Sequence, residues 1–255
     1  MALEVHMFPC LSDNYGFLIH DAQADVTAVI DTPEVAPINA ALAEKGWKLT
    51  HILNTHHHFD HAGGNEELKA KWGCTIVGAA NDAARIPGID VQVSDGESLS
   101  FGSTEARVFE TPGHTTGHIA YYFADDGIAF VGDTLFALGC GRLFEGTPEQ
   151  MWTSLKKLMA LPDDTVVYCA HEYTQSNAAF ALSVEPGNKD LVARAEEIDR
   201  LRAAGVPTVP TTIGLEKATN PFLRPDSPNL QATVGINDGD LVAVFAETRR
   251  RKDSF

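Results

Sequence analysis

Thr55-His56-His57-His58-Phe59-Asp60-His61 follows directly on the apolar run His51-Ile52-Leu53. The run is short and apolar, which predicts a strand with the histidines in the loop just past its end. In extended chain His56 and His58 point one way and His57 the other. Two imidazoles can then grip one metal ion, while Asp60 and His61, after a turn, can reach a second. Neutral imidazole suits zinc and iron, and a carboxylate can span two cations. A lone histidine is most often a surface or structural residue. The H-x-H-x-D-H string is far more specific, because its spacing is that of a ligand set.

The same arrangement recurs along the chain. Thr111-Pro112-Gly113-His114 follows the strand candidate Arg107 to Glu110, Gly132-Asp133-Thr134 follows Ile128 to Val131, and Ala170-His171-Glu172 follows Thr165 to Cys169. Layered α/β proteins form sites at strand ends, where a rigid sheet aims residues from separate loops at one point. His57 and His118 fit supporting roles, and His6, His20 and His51 have no motif support.

Further strands are predicted at 17–19, 26–30 and 119–123, and helices over 33–47 and 66–72, the second closed by Gly73. Thr147 and Gln150 form a capping box with Pro148 at the first helical position, and Met151, Leu155, Leu158 and Met159 line one face of that helix. Beyond about residue 172 the pattern changes. A helix is predicted over 190–204, loop-rich chain over 207–228, and a final helix capped by Asp240. The boundary between two domains is placed there, 1–172 and 173–255.

Charge divides the same way. The 255 residues hold 35 acids and 19 bases, net −16. Residues 1–172 carry 24 acids and 9 bases, and residues 173–255 carry 11 and 10. Such acidity disfavours a nucleic-acid backbone or an anionic membrane as partner. No stretch of about 18 apolar residues could span a membrane, and no secretory signal or acid-poor presequence is recognisable at the start. Cys10, Cys74, Cys140 and Cys169 form no CxxC, which predicts reduced thiols and a cytoplasmic protein. No signature of oligomerisation is present, so a monomer is expected.

The ligand constellation resembles the metallo-β-lactamase superfamily. That resemblance implies an α/β fold, an αββα sandwich with a smaller helical C-terminal domain, and a dinuclear metal site. By motif, His56, His58 and His114 would hold one ion, Asp60, His61 and His171 the other, and Asp133 both. A narrower resemblance rests on Thr55 to Asn65, Gly132-Asp133-Thr134-Leu135-Phe136, Gly139-Cys140-Gly141-Arg142, His171-Glu172-Tyr173-Thr174, Asn220 to Arg224 and Arg249 to Asp253. Together these are similar to the glyoxalase II, or hydroxyacylglutathione hydrolase, family.

Membership would imply hydrolysis of S-D-lactoylglutathione to D-lactate and glutathione, the second step of methylglyoxal detoxification. The cofactors would be two divalent ions, zinc first, with iron or manganese also suited to the shell. Asp60 and Asp133 would take part in catalysis. Arg142, Tyr173, Arg249 and Lys252 would bind the glutathione part, with Arg249 and Lys252 sharing a face of the last helix. Two positions depart from the family's habit: Arg142 stands where lysine is frequent, and Phe144 where tyrosine is, so no hydroxyl is available there. The alternative reading is a glutathione persulfide dioxygenase with a single iron, against which the C-terminal helical part and the terminal cations count.

Overall fold

A computed structural model describes residues 3–237 and 239–255. The chain forms two compact units, Met1–Glu110 with Thr116–Gly132, and Thr111–Thr115 with Asp133–Phe255. This division falls elsewhere than the change of sequence pattern near 172, because the hairpin and helix after Asp133 pack with the later helices.

The first unit runs β1 (Glu4–Cys10), β2 (Asn14–Asp21), β3 (Val26–Ile30), α1 (Val35–Lys45), β4 (His51–Leu53), α2 (Phe59–Ala62), α3 (Asn65–Trp72), β5 (Thr75–Ala79), β6 (Val91–Val93), β7 (Ser98–Phe101), β8 (Thr104–Glu110), β9 (Ile119–Phe123) and β10 (Ile128–Gly132). Strands β1 to β6 form one sheet in sequence order, antiparallel from β1 to β3 and parallel from β3 to β6. Strands β7 to β10 form an antiparallel meander.

The two sheets meet through aromatic side chains. Phe17 of β2 lies 5.7 Å from Phe130 of β10, and Phe101 of β7 meets His51 of β4 edge-on at 5.5 Å. On the other face of the first sheet, Ile38, Leu42 and Leu68 from α1 and α3 bury against Leu18, Val29, Ile52 and Ile76. Strand β2 is therefore buried along its whole length, as expected of a strand covered on both faces. The layers of this unit are helix, sheet, sheet. Helix α3 ends where Gly73 turns left-handed at φ 68°, a conformation glycine adopts without a Cβ penalty.

The second unit runs β11 (Leu135–Phe136), β12 (Gly139–Cys140), α4 (Pro148–Met159), β13 (Val166–Cys169), α5 (Thr174–Val184), α6 (Lys189–Ala203), β14 (Thr211–Thr212), α7 (Ile213–Thr219), α8 (Pro228–Val234) and α9 (Leu241–Asp253). The capping box of α4 is present: Gln150 N donates to Thr147 Oγ1 at 3.3 Å and Thr147 N to Gln150 Oε1 at 2.9 Å. Helix α6 is capped by Asn188, two residues before the predicted start. Residues 207–228, expected as loop-rich, hold β14, α7 and a short 3-10 turn over Pro221–Leu223. Five prolines in that stretch hid a helix that depends on its Thr212 cap and on the buried Glu216 rather than on propensity. Among the described residues, no helix is long and apolar enough to cross a membrane.

All four cysteines are free and buried. Burial pushes the Cys10 and Cys169 thiols up to about 12 and Cys140 to about 11. Thiolate is the reactive form, so the folded protein should ignore an aromatic disulfide reagent at pH 8 and react at four thiols once unfolded in guanidinium. Stoichiometric labelling of the native chain would contradict this burial.

Candidate functional site

Each predicted ligand emerges just past a strand end: His56 to His61 after β4, His114 after β8, Asp133 after β10 and His171 after β13. The two units contribute separate clusters, and each has its own geometry.

In the first unit the His56 Nε2 and His58 Nδ1 atoms lie 3.1 Å apart, and His56 is fully buried. Asp60 and His61 sit on the single turn of α2, with Asp60 Oδ2 3.5 Å from His61 Nε2. His57 points the other way, donating from Nδ1 to Asp82 Oδ2 at 2.9 Å, as the alternation of an extended loop requires. Asp82 is also paired with Arg85. His118 stacks on the His56 ring with centroids 4.8 Å apart.

Asp31, at the end of β3, organises this cluster. Its Oδ2 accepts from His61 Nδ1 at 2.8 Å and from Thr55 Oγ1 at 2.7 Å, and its Oδ1 from Thr55 N at 2.7 Å. The Thr55 hydroxyl, having given its proton to Asp31, accepts from His56 Nδ1 at 3.1 Å. A carboxylate only accepts, so both ring protons are held at Nδ1. The lone pairs of His56 and His61 are thereby assigned to Nε2. Asn14 Nδ2 donates to Asp60 Oδ2 at 3.2 Å, which orients that carboxylate.

In the second unit Asp133 is the centre. His114 Nε2 lies 3.3 Å from Asp133 Oδ2, and His171 Nε2 lies 3.4 Å from Oδ1. One imidazole thus faces each carboxylate oxygen. His114 Nδ1 donates to the Arg142 carbonyl at 2.9 Å, so its lone pair is also at Nε2. A Cβ at Gly141 would fall 2.0 Å from the Asp133 carbonyl oxygen, so only glycine lets the chain pass so close. Tyr173 lies parallel to the His171 ring at 4.7 Å, and Phe136 meets both rings edge-on. Phe144 is 61% exposed and contacts His114 edge-on at 5.2 Å.

The predicted cations fall in unlike settings. Arg142 is exposed, 3.4 Å from Asp253. Arg249 and Lys252 do share a face of α9, but that face is covered. Arg249 is buried, donating to the Cys140 carbonyl at 2.9 Å and pairing with Asp253 at 2.9 Å. Lys252 Nζ reaches Ser176 O and Oγ at 3.1 Å between the rings of Phe180 and Phe255. Burial first, and the neighbouring Arg249 charge second, bring its ammonium down to about 8. The sequence singles out neither Asp31 nor a role for Asp253, and Asn14, in a family-like Asp-Asn-Tyr start, carries no assigned chemistry there. Asp31 could have been found by the rule that found the ligands, since it too is a polar residue at a strand end.

The donor set suits divalent ions. Buried imidazoles with assigned lone pairs and two carboxylates match the nitrogen and oxygen preference of zinc, iron and manganese, and the acceptors behind the rings are the outer contacts such sites use.

A family model described as "Hydroxyacylglutathione hydrolase C-terminus" matches residues 172–255, and one described as "Metallo-beta-lactamase superfamily" matches residues 17–171. The chain is 59% identical to a curated relative from Maricaulis maris and 56% identical to one from Methylococcus capsulatus. Each alignment runs over 253 residues, covers 99% of this chain and 99% of the relative, and each relative is named hydroxyacylglutathione hydrolase. Among solved structures, ETHE1 from Myxococcus xanthus superposes with a TM-score of 0.67 at 27% identity, covering 100% of both chains.

Replacing Asp31 by alanine should leave a folded protein that loses zinc to a competing chelator about 10 to 100 times more readily, the usual effect of removing an acceptor behind a ligand histidine. Unchanged zinc retention in Asp31→Ala would show that the carboxylate serves only the fold.

Proposed function

The chain belongs to the hydroxyacylglutathione hydrolase family of the metallo-β-lactamase superfamily, and from that premise we propose how its residues divide the work. It is a thioester hydrolase that cleaves S-D-lactoylglutathione to D-lactate and glutathione, in a fold of mixed α/β sheets with a helical C-terminal region. A dinuclear metal site is the cofactor arrangement its fold family and its His and Asp groups indicate. We assign His56, His58 and His114 to one ion, Asp60, His61 and His171 to the other, and Asp133 to both, with zinc as the metal. Residues 1–172 are taken as the catalytic domain and 173–255 as the glutathione-binding domain. The superfamily match over 17–171 supports joining the two clusters, since one domain model runs through all seven residues.

The observation that carries this reading is Asp133, with an imidazole Nε2 facing each of its oxygens. When bound, two dications lower the pKa of a water they share towards neutrality and offset charge on the thioester oxygen. The chain supplies the rest. Asp31 and the Arg142 carbonyl keep ring protons away from the ligand atoms. Asn14 holds Asp60, which is placed to orient the attacking oxygen. The departing group needs no acid, because an ordinary thiol with a pKa near 8.5 leaves as thiolate. The four buried cysteines have no part in this chemistry.

Glutathione is anionic, and Arg142, Tyr173, Arg249 and Lys252 are assigned to its recognition. The near balance of charge in residues 173–255 supports that assignment. The protein is taken as a monomer, and the four free thiols support a cytoplasmic setting. The single-iron dioxygenase reading is less well supported, because the C-terminal family model spans the whole helical part and the full-length relatives carry the hydrolase name.

Thiol release from S-D-lactoylglutathione tests the reading. Release should be rapid, abolished by a strong chelator and restored by zinc. Asp133→Ala should lose bound metal and turnover together, and a variant keeping both in full would end the dinuclear account. For Lys252, the ammonium is charged below pH 8 and neutral above it. KM for the glutathione thioester should therefore rise as pH passes about 8. Lys252→Met should raise KM on the order of tenfold at pH 7, as loss of a charged hydrogen bond does, and should remove that rise. A flat KM from pH 7 to 9 in the parent enzyme would exclude Lys252 from recognition.

A further inference from the structure

The hairpin β11–β12 is too short to satisfy its own backbone. Its strands have two residues each, and Leu138 in its turn is left-handed at φ 58°. The free backbone groups are taken up by side chains from the helical region. Asn220 Nδ2 donates to Phe136 O at 3.2 Å and to Gly139 O at 2.9 Å, and Asn177 Nδ2 donates to Ala137 O at 3.1 Å. Leu138 N donates to Glu216 Oε2 at 2.9 Å, and Arg249 Nη1 donates to Cys140 O at 2.9 Å. All four side chains are buried.

Glu216 is the hub. Its Oε2 also accepts from Asn220 Nδ2 at 2.9 Å, while its Oε1 accepts from Thr211 Oγ1 at 2.6 Å and pairs with Arg194. A buried carboxylate persists only when paired and fully hydrogen-bonded. Here that condition ties α6, β14 and α7 to the hairpin at once.

What the hairpin carries gives the network its purpose. Asp133 and Thr134 enter it, and Gly141 and Arg142 leave it. Gly141 N donates back to Thr134 O at 3.3 Å, closing the two ends together. The Arg142 carbonyl then receives the His114 Nδ1 proton. A hairpin free to shift would move the Asp133 carboxylate and the acceptor that sets the His114 ring.

We propose that Glu216, Asn220 and Asn177 are positioning residues for the metal ligands: they clamp the Leu135–Cys140 hairpin so that Asp133 and the Arg142 carbonyl stay in register with His114. This rests on the assignment of Asp133 and His114 as ligands. It gives the helical region a second task, holding the metal shell from behind.

The test is zinc titration of the metal-stripped full chain against a chromophoric chelator, together with amide hydrogen exchange at Leu138. Asn177→Ala and Glu216→Gln should each lower zinc affinity on the order of tenfold and speed exchange at Leu138. Ser227→Ala is the control. It loses a buried hydrogen bond to Glu185 in the same helical region, away from the hairpin, and should leave zinc affinity unchanged. Should Glu216→Gln fail to fold, Asn177→Ala, which removes one neutral hydrogen bond, decides alone. Faster exchange at Leu138 with parental zinc affinity would overturn the proposal, as would an equal loss of affinity in Ser227→Ala. Neither readout uses substrate, so a parent enzyme that binds zinc but releases no thiol would contradict the hydrolase reading and leave this one standing.

Discussion

An imidazole can offer a lone pair from one nitrogen only while its proton is held at the other, and in the first unit one carboxylate, Asp31, governs that holding for His56 and His61. Asp31 takes the His61 proton directly and, through the Thr55 hydroxyl, sets the direction of the His56 proton. The remaining features of the first unit serve this arrangement. The parallel pairing of β3 with β4 brings Asp31 beside the loop that begins at Asn54. Burial between sheets and helices removes the water that would otherwise compete for these protons. The second unit solves the same problem with a backbone carbonyl, Arg142 O on His114, and a carbonyl is only as well placed as the hairpin that carries it.

Spacing along one strand-end loop is legible in a sequence; contacts between loops far apart in the chain are not. His56, His58, Asp60 and His61 could be singled out because their pattern is local, and the alternation that turned His57 away is visible in its bond to Asp82. Half of the strands among the described residues (β2, β3, β4, β8, β9, β10 and β13) and the helices α1, α3, α4, α6 and α9 were readable from runs of apolar residues and from caps. The role of Asn14 was not, because its partner Asp60 lies 46 residues on. Residues 207–228 misled for a related reason: local proline content spoke for loop, while α7 depends on Glu216 meeting Leu138, 78 residues away. Arg249 shows the limit of reading charge as surface. Nothing local says that the end of α9 is covered, yet its guanidinium is buried against Cys140, 109 residues back.

The net charge of −16 takes on a different sense beside these contacts. Two dications would bring the formal sum to about −12 before any hydroxide is counted. The rest of the excess lies almost wholly in residues 1–172, which also hold Arg142, while Arg249 and Lys252 lie in the near-neutral remainder. Asp253 pairs with both Arg142 and Arg249. If Arg142 and Arg249 bind glutathione as proposed, the substrate would meet cations whose direction is already set by a carboxylate, which favours a fixed geometry over simple attraction. Arginine suits this better than lysine, because its planar fork can serve two acceptors at once.

The central claim is that all seven His and Asp side chains serve one dinuclear site. Anomalous diffraction at the zinc edge from crystals of the zinc-loaded protein tests it most directly. Two peaks about 3.5–4 Å apart are expected, with Asp133 touching both, His56, His58 and His114 around one, and Asp60, His61 and His171 around the other. A single peak, or a second one lying away from Asp60 and His171, would contradict it.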